Sequence, residues 1–358
     1  MTRERYRAAV IGCGKMSRGH ARAFADAPAV NLVAGADVSE AARAAFAGDF
    51  ALDTMYADPA QMLEREQPDL VSICTWPPTH ADLTVAAFAA GARVVWCEKP
   101  MAVHLADADR MLAAAEAAGG LIVVNHQRRF VESYRQAREL IDAGAIGEVT
   151  QITGICGGDT LTDGTHLIDM ARFLNGDVPI TSVFGAIEMS PMGSVNPDGM
   201  GTIEFNQTRK RYGHHVETGA LGLLCFENGV RAHLELGKLA RGGYQRFYLD
   251  GAEGRIELSG DRPFDDGSRL RIRRRSGALE AVPPATLDGA MDRVLGEAIR
   301  VLEEGGNHTL SGASGRADLE VVTAIYESAR TRTMIALPID VRESPLEAML
   351  AAGEIPLN

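Results

Sequence analysis

The first 125 residues alternate between two hydrophobic patterns. Short apolar runs stand at residues 7–11 (RAAVI), 31–36, 69–75 (DLVSICT), 93–96 and 121–124. Ala-rich stretches with helical spacing separate most of them, and glycine or proline punctuates their ends. Strands apolar along their whole length, linked by helices, predict a parallel sheet covered on both faces. This half reads as a doubly wound α/β nucleotide-binding domain.

Past Asn125 the pattern changes. A helix at 135–143 ends at Gly144, and an alternating strand follows at 149–156. Leu167, Ile168, Met170, Ala171, Phe173 and Leu174 have the spacing of a helix that Gly176 stops. Alternating segments at 222–226, 230–236, 246–249, 255–258 and 270–274 are separated by Asn-Gly, Asp-Gly and Ser-Gly turns, the signature of antiparallel strands. The expectation is an α/β domain over 1–125, an α+β domain with an open, mostly antiparallel sheet over 126–340, and a C-terminal extension over 341–358. The stretch 189–213, rich in Gly, Asn and Pro, reads as a long loop or insertion.

Candidate chemistry collects where the strands end. After the first strand comes Gly12-Cys13-Gly14-Lys15-Met16-Ser17, a G-x-G-x-x-S turn opening a helix. Gly12 permits the tight turn, Gly14 lets a pyrophosphate approach the backbone, and Ser17 is small enough to keep helix and strand close. Asp37 follows the second strand, 23 residues after Gly14, where a carboxylate would accept both adenosine ribose hydroxyls and repel a 2′-phosphate. No arginine occurs in Val38-Ser39-Glu40, so NAD is favoured over NADP. Asp37 also suits the cap of the next helix. The fifth strand runs into Glu98-Lys99-Pro100, and Pro100 restricts Lys99 to extended backbone. A lysine held by a stiff, buried strand is placed as a catalytic group should be; a strand-end salt bridge is the plainer alternative.

The net charge of −12 argues against nucleic acid or an anionic membrane as partner. It leaves room for an anionic cofactor, because backbone N–H groups bind phosphates locally. The opening residues lead straight into a short strand, and no apolar run approaches the ~20 residues of a membrane span. The expectation is a cytoplasmic protein without a leader. Five scattered cysteines (Cys13, Cys74, Cys97, Cys156, Cys225) show no C-x-x-C spacing and read as buried thiols.

Together these features resemble the glucose–fructose oxidoreductase/inositol dehydrogenase family (Gfo/Idh/MocA). The residues that carry the resemblance are Gly12 and Gly14 with His20 on the next helix, Asp37, Tyr56-x-Asp58, Pro77 to His80, Glu98-Lys99-Pro100 and Arg128-Arg129-Phe130. It extends through 250–254 and the late helix at 323–329, nearly the whole chain. It implies an N-terminal Rossmann domain, a C-terminal open sheet used for homo-oligomer contacts (dimer or tetramer), and an NAD(P)-dependent dehydrogenase acting on CH–OH groups.

The resemblance also assigns roles. Lys99 and His166 become the acid–base pair, with an aspartate normally four residues before the histidine. Here Thr162 holds that place and Asp163 stands one residue later, either replacing the aspartate or capping the helix. Gly12, Gly14, Lys15, Met16, Asp37, Thr75, Pro77, His80, Glu98 and Lys99 would hold NAD. Asn125, Gln127, Arg128, Thr162 and His166 would line the substrate site. His80 could equally be a helix cap, and Asn125, Gln127 and Arg128 could instead join the domains. Asp169 reads as a structural helix residue. His214-His215-x-Glu217 looks superficially like a metal set, but adjacent strand residues face opposite sides, so no metal is expected. The expected substrate is a secondary alcohol of a sugar, glycoside or inositol. A redox-neutral glycoside-cleaving enzyme, oxidising a ring hydroxyl only transiently, uses the same residues, and an NAD(H)-dependent sensor is a third reading.

Overall fold

The computed structural model describes residues 5–189, 210–240, 244–260, 262–284 and 289–354. By compactness the chain divides into Met1–Gln127 with Gly289–Arg316, and Arg128–Asp288 with Ala317–Asn358. The division falls inside the helix Gly312–Thr331.

The first unit is built on β1 (Tyr6–Ile11), β2 (Val30–Ala36), β3 (Met55–Tyr56), β4 (Leu70–Ile73), β5 (Val94–Cys97) and β6 (Leu121–Val124). They form one sheet of order β3-β2-β1-β4-β5-β6, with every pair parallel. Helices α1 (Ser17–Asp26), α2 (Glu40–Phe50), α3 (Pro59–Glu66), α4 (His80–Ala89) and α5 (Leu105–Ala118) connect successive strands. The four residues of β4 and of β5 are all buried, which is why those segments carry no polar alternation. Strand order reverses between β1 and β4, and such sheets bind ligands outside the carboxyl ends at that point.

The helix Ala290–Glu304 belongs to this unit. Its Val294, Leu295 and Ala298 lie against Phe24, Leu70, Trp96 and Val123. Its apolar stripe is legible in the sequence, but a stripe does not say which layer it covers.

The second unit opens with α6 (Glu132–Asp142), β7 (Val149–Cys156), α7 (Gly164–Leu174) and β8 (Ile180–Glu188). There follow β9 (Lys210–Arg211), β10 (His214–His215), β11 (Gly219–Phe226), β12 (Arg231–Gly237), β13 (Arg246–Gly251), β14 (Gly254–Ser259), β15 (Leu270–Arg274), β16 (Glu280–Ala281) and β17 (Ile335–Ala336). Nine of these make a sheet of order β16-β15-β14-β13-β7-β12-β11-β8-β17. All its pairs are antiparallel except β7–β12. The predicted hairpins are present; the parallel pair joins strands far apart in sequence, which no turn signal reports.

Helices cover one face of this sheet. Gly185 in β8 faces Ile325 of Gly312–Thr331, and Gly154 in β7 packs against Leu167 of α7 and Leu234 of β12. On the other face, Phe184 stands opposite Leu223 and Ala186 opposite Leu221, and Phe184 and Leu221 are exposed. Pro345–Ala351, in the expected C-terminal extension, is a helix with Leu346 and Met349 buried. Of the expected loop at 189–213, residues 190–209 lie outside the described residues; β9 and β10 form a hairpin across Tyr212 and Gly213.

Candidate active site

The glycine turn is shaped by close packing on one side and open space on the other. Gly12 has φ +88°, and a Cβ there would lie 2.7 Å from the Cys74 carbonyl carbon. Only glycine fits. At Gly14 a Cβ would meet nothing within 4 Å, and Gly14, Lys15 and Met16 are exposed. No side chain caps α1 at Met16. Ser17 is fully buried and its hydroxyl donates to the Gly14 carbonyl at 2.7 Å, closing the turn from within.

Asp37 sits at the end of β2. Its Oδ2 accepts from the Cys13 N–H and its Oδ1 from the Ser39 N–H, both at 2.8 Å, so one carboxylate ties the second strand to the glycine turn. Each oxygen keeps a second lone pair for a ligand hydroxyl. Met16, Val38 and Trp76, near the ends of β1, β2 and β4, are exposed. An open glycine, an uncapped helix start and a carboxylate at the end of the second strand together fit a dinucleotide.

His80, Glu98 and Asn125 are turned inward instead. His80 is wholly buried, with Nδ1 3.0 Å from the Pro100 carbonyl and Nε2 3.1 Å from the Thr75 carbonyl. Burial pushes its imidazole below the usual value, with the two carbonyls pulling the other way. His80 therefore ties the loops after β4 and β5 together. Pro77 is buried, and the Thr75 hydroxyl meets that of Thr79 at 2.7 Å.

Glu98 is also internal. Its Oε1 accepts from Asn125 Nδ2 at 2.7 Å and faces His20 Nε2 at 3.0 Å, and its Oε2 lies 3.3 Å from the Lys99 N–H. Burial pushes the Glu98 carboxyl up. Hydrogen bonding and attraction from His20, then Lys99 and the Asn125 amide, more than offset it and leave it below the usual glutamate value. Asn125 has no exposed surface, and its Oδ1 accepts from Trp96 Nε1 at 3.1 Å. Both ends of its amide are used within the sheet edge. Lys99 itself is part-exposed at the strand end. Gln127, part-buried, follows β6.

In the second unit His166 occupies the third position of α7 and is buried, its N–H donating to the Asp163 carbonyl at 3.2 Å. Asp163 stands at the N-cap position but makes no side-chain cap bond. Its Oδ2 accepts from Arg211 Nη1 at 2.7 Å and its Oδ1 from the Tyr244 hydroxyl at 3.0 Å. Gln245 Nε2 donates to its carbonyl at 3.1 Å. Arg211 Nη1 also bonds Asp159 Oδ2 at 2.6 Å. Burial first, then the Asp163 charge, drives the Tyr244 phenol far above its usual value, so it stays a donor. Arg128 is buried with its guanidinium 5.6 Å from the Tyr244 ring centroid. Thr162 is buried, with its hydroxyl 3.3 Å from His214 Nε2.

Asp169 accepts from Arg129 Nε at 2.8 Å, and Arg129 also clasps Asp177. The His214-His215-x-Glu217 side chains diverge. His214 meets Thr162, His215 Nδ1 lies 3.3 Å from Glu347, and Glu217 accepts from Thr160 and the Tyr326 hydroxyl. All five cysteines are free thiols; Cys74 and Cys225 are part-exposed rather than buried. Burial, with Asp37 nearby, pushes the Cys13 thiol up to about 12.

Arg211, Tyr244 and Gln245 around Asp163, and Ser72 beside His20, escaped the sequence reading because each acts across many residues of chain. Arg43 escaped it too. Its Nη1 reaches the Asp37 and Val38 carbonyls at 2.7 and 3.2 Å, although it lies beyond the tripeptide after Asp37.

Two family models match this chain: the oxidoreductase family, NAD-binding Rossmann fold, over residues 6–126, and the GFO/IDH/MocA C-terminal domain over residues 155–257. The chain belongs to the GFO/IDH/MocA oxidoreductase family. It is thus an NAD-binding dehydrogenase. A D-apiose dehydrogenase from Paraburkholderia graminis is 28% identical over 99% of this chain and 96% of the relative. An inositol 2-dehydrogenase from Saccharopolyspora erythraea is 30% identical over 70% of this chain and 72% of the relative. In fold, the chain is similar to a levoglucosan dehydrogenase solved with NADH and levoglucosan: TM-score 0.76, 22% identity, covering 94% of this chain and 100% of that one.

Proposed function

We propose that this family member oxidises or reduces a secondary alcohol of a sugar, glycoside or polyol, with Lys99 and His166 as the acid–base pair. The observation that carries the reading is the order of groups at one sheet edge: the open glycine turn after β1, Asp37 after β2 and Lys99 after β5. The dehydrogenases of D-apiose and inositol among its relatives support a polyhydroxylated substrate.

NAD, when bound, supplies the hydride acceptor or donor. The chain's own residues handle the proton. Lys99, at the end of a fully buried strand, takes or returns the hydroxyl proton, and His166 shares it. Asp163, fixed by Arg211 and Tyr244, holds the loop that presents His166. Asp37 favours NAD over NADP by accepting ribose hydroxyls and repelling a 2′-phosphate. Assembly as a homo-oligomer uses the free face of the nine-stranded sheet, where exposed Phe184 and Leu221 lie beside Leu223 and Ala186.

Replacing the lysine tests the assignment. Lys99→Met should bind NADH as the parent does, by fluorescence titration, and lose turnover by about 100-fold or more. Turnover within a few-fold of the parent would remove Lys99 from the acid–base role.

A further inference from the structure

Beneath Lys99 lies a closed set of buried polar groups drawn from α1, β4, β5 and the end of β6. His20, Ser72 and Asn125 have no exposed surface, and Glu98 is 6% exposed. His20 Nε2 faces Glu98 Oε1 at 3.0 Å and its Nδ1 faces Ser72 Oγ at 2.8 Å. Ser72 Oγ is 3.2 Å from Cys74 Sγ. The His20 ring lies against Trp96, centroids 4.0 Å apart.

The donors and acceptors assign themselves. The Trp96 indole N–H only donates, so the atom of Asn125 facing it is Oδ1 and the amide nitrogen faces Glu98. A carboxylate only accepts, so His20 Nε2 and Asn125 Nδ2 both donate to Glu98 Oε1, the two nitrogens lying 3.2 Å apart. His20 Nδ1 and the Ser72 hydroxyl complete the chain whichever of them donates. Every group then has a partner, and a fully satisfied buried network is rigid. Its free end is Glu98 Oε2, which lies 3.3 Å from the Lys99 backbone N–H.

We propose that His20 is a positioning residue which, through Glu98, fixes Lys99 at the strand end, so that its loss lowers turnover rather than cofactor affinity. This rests on the dehydrogenase reading with Lys99 as acid–base group. His20 cannot touch substrate, because it is wholly buried behind Glu98. A side chain needed only for packing would leave Lys99 unaffected when replaced by a group of similar volume.

The test is a double-mutant cycle on the full chain with His20→Leu, Glu98→Gln and both, reading kcat, KM, NADH affinity and local amide hydrogen exchange without cofactor. The expected result is a kcat loss of about 100-fold in each single variant, the scale of a misplaced reacting group. KM and NADH affinity should hold within about threefold, and the double variant should be little worse than either single. His20→Gln, which keeps an N–H for Glu98, should recover most of the loss. Exchange around residues 97–101 should quicken in His20→Leu while β1 and β2 stay protected. Additive losses, weakened NADH binding with kcat intact, or unchanged exchange at 97–101 would overturn the proposal. A parent protein that turns over no polyol would instead count against the dehydrogenase reading, and the exchange result would still decide whether His20 fixes Lys99.

Discussion

Gly158 and Asp163 are packed so closely that a Cβ on Gly158 would lie 2.0 Å from Asp163 Oδ2. Glycine is required there by a neighbour's carboxylate, which is itself pinned by Arg211 and Tyr244. Gly158→Ala must therefore displace Asp163 and the loop that leads into His166. The expected outcome is a loss of about 1–3 kcal/mol in chemical denaturation, the usual range for overpacking, and a fall in turnover with NADH binding unchanged.

Gly12 and Gly14 should fail in different ways. Alanine at 12 combines φ +88° with a clash against the Cys74 backbone. It should destabilise by about 2 kcal/mol or more. Alanine at 14 enters open space, so thermal unfolding of the free protein should not move. Its NADH affinity should fall by roughly tenfold, about 1.4 kcal/mol, because the added carbon stands where the pyrophosphate approaches.

If Asp37 reads the ribose, Asp37 and Arg43 should set the cofactor preference jointly. Removing the carboxylate loses hydrogen bonds to a charged group, about 1.5–3 kcal/mol, and leaves Arg43 beside the ribose position. Asp37→Ser should weaken NAD binding and admit NADP, while Asp37→Ser with Arg43→Ala should bind neither well. Titrations of the parent and the two variants with both cofactors check this.

Glu98 gives a pH signature. Its carboxyl is held below the usual glutamate value in the folded chain, so below about 4.5 the unfolded state binds the proton first. Its contribution is present above that pH and is lost as pH falls through the folded value. Thermal melts of the parent and Glu98→Gln should differ most at neutral pH and converge on acidification. A gap that widens in acid would contradict the assignment.

The sequence stated the first unit's sheet almost in full, because wholly buried parallel strands leave a local signature in every segment. Gly12, Asp37 and Lys99 were legible for the same reason: each sits at a strand end, where sheet topology fixes position. Asn125 and His80 stand at strand ends too, yet their side chains turn inward to Glu98 and to the Pro100 carbonyl. Which way a polar side chain turns depends on neighbours from other strands, and periodicity carries no such information. Arg211 reaches Asp159 and Asp163 across about fifty residues of chain, and the return of Ala290–Glu304 to the first unit spans more than 150. These are tertiary facts without a local signal.

The most direct test of the central claim is nicotinamide absorbance on mixing the purified protein and NAD with inositols, free sugars and glycosides, with product analysis of each mixture. The account predicts NADH accumulating with one class of polyhydroxylated substrate, matched by the oxidised product. Aglycone released with no net NADH would replace the dehydrogenase with a redox-neutral cleaving enzyme. No consumption of any substrate despite demonstrable NAD binding would contradict the account.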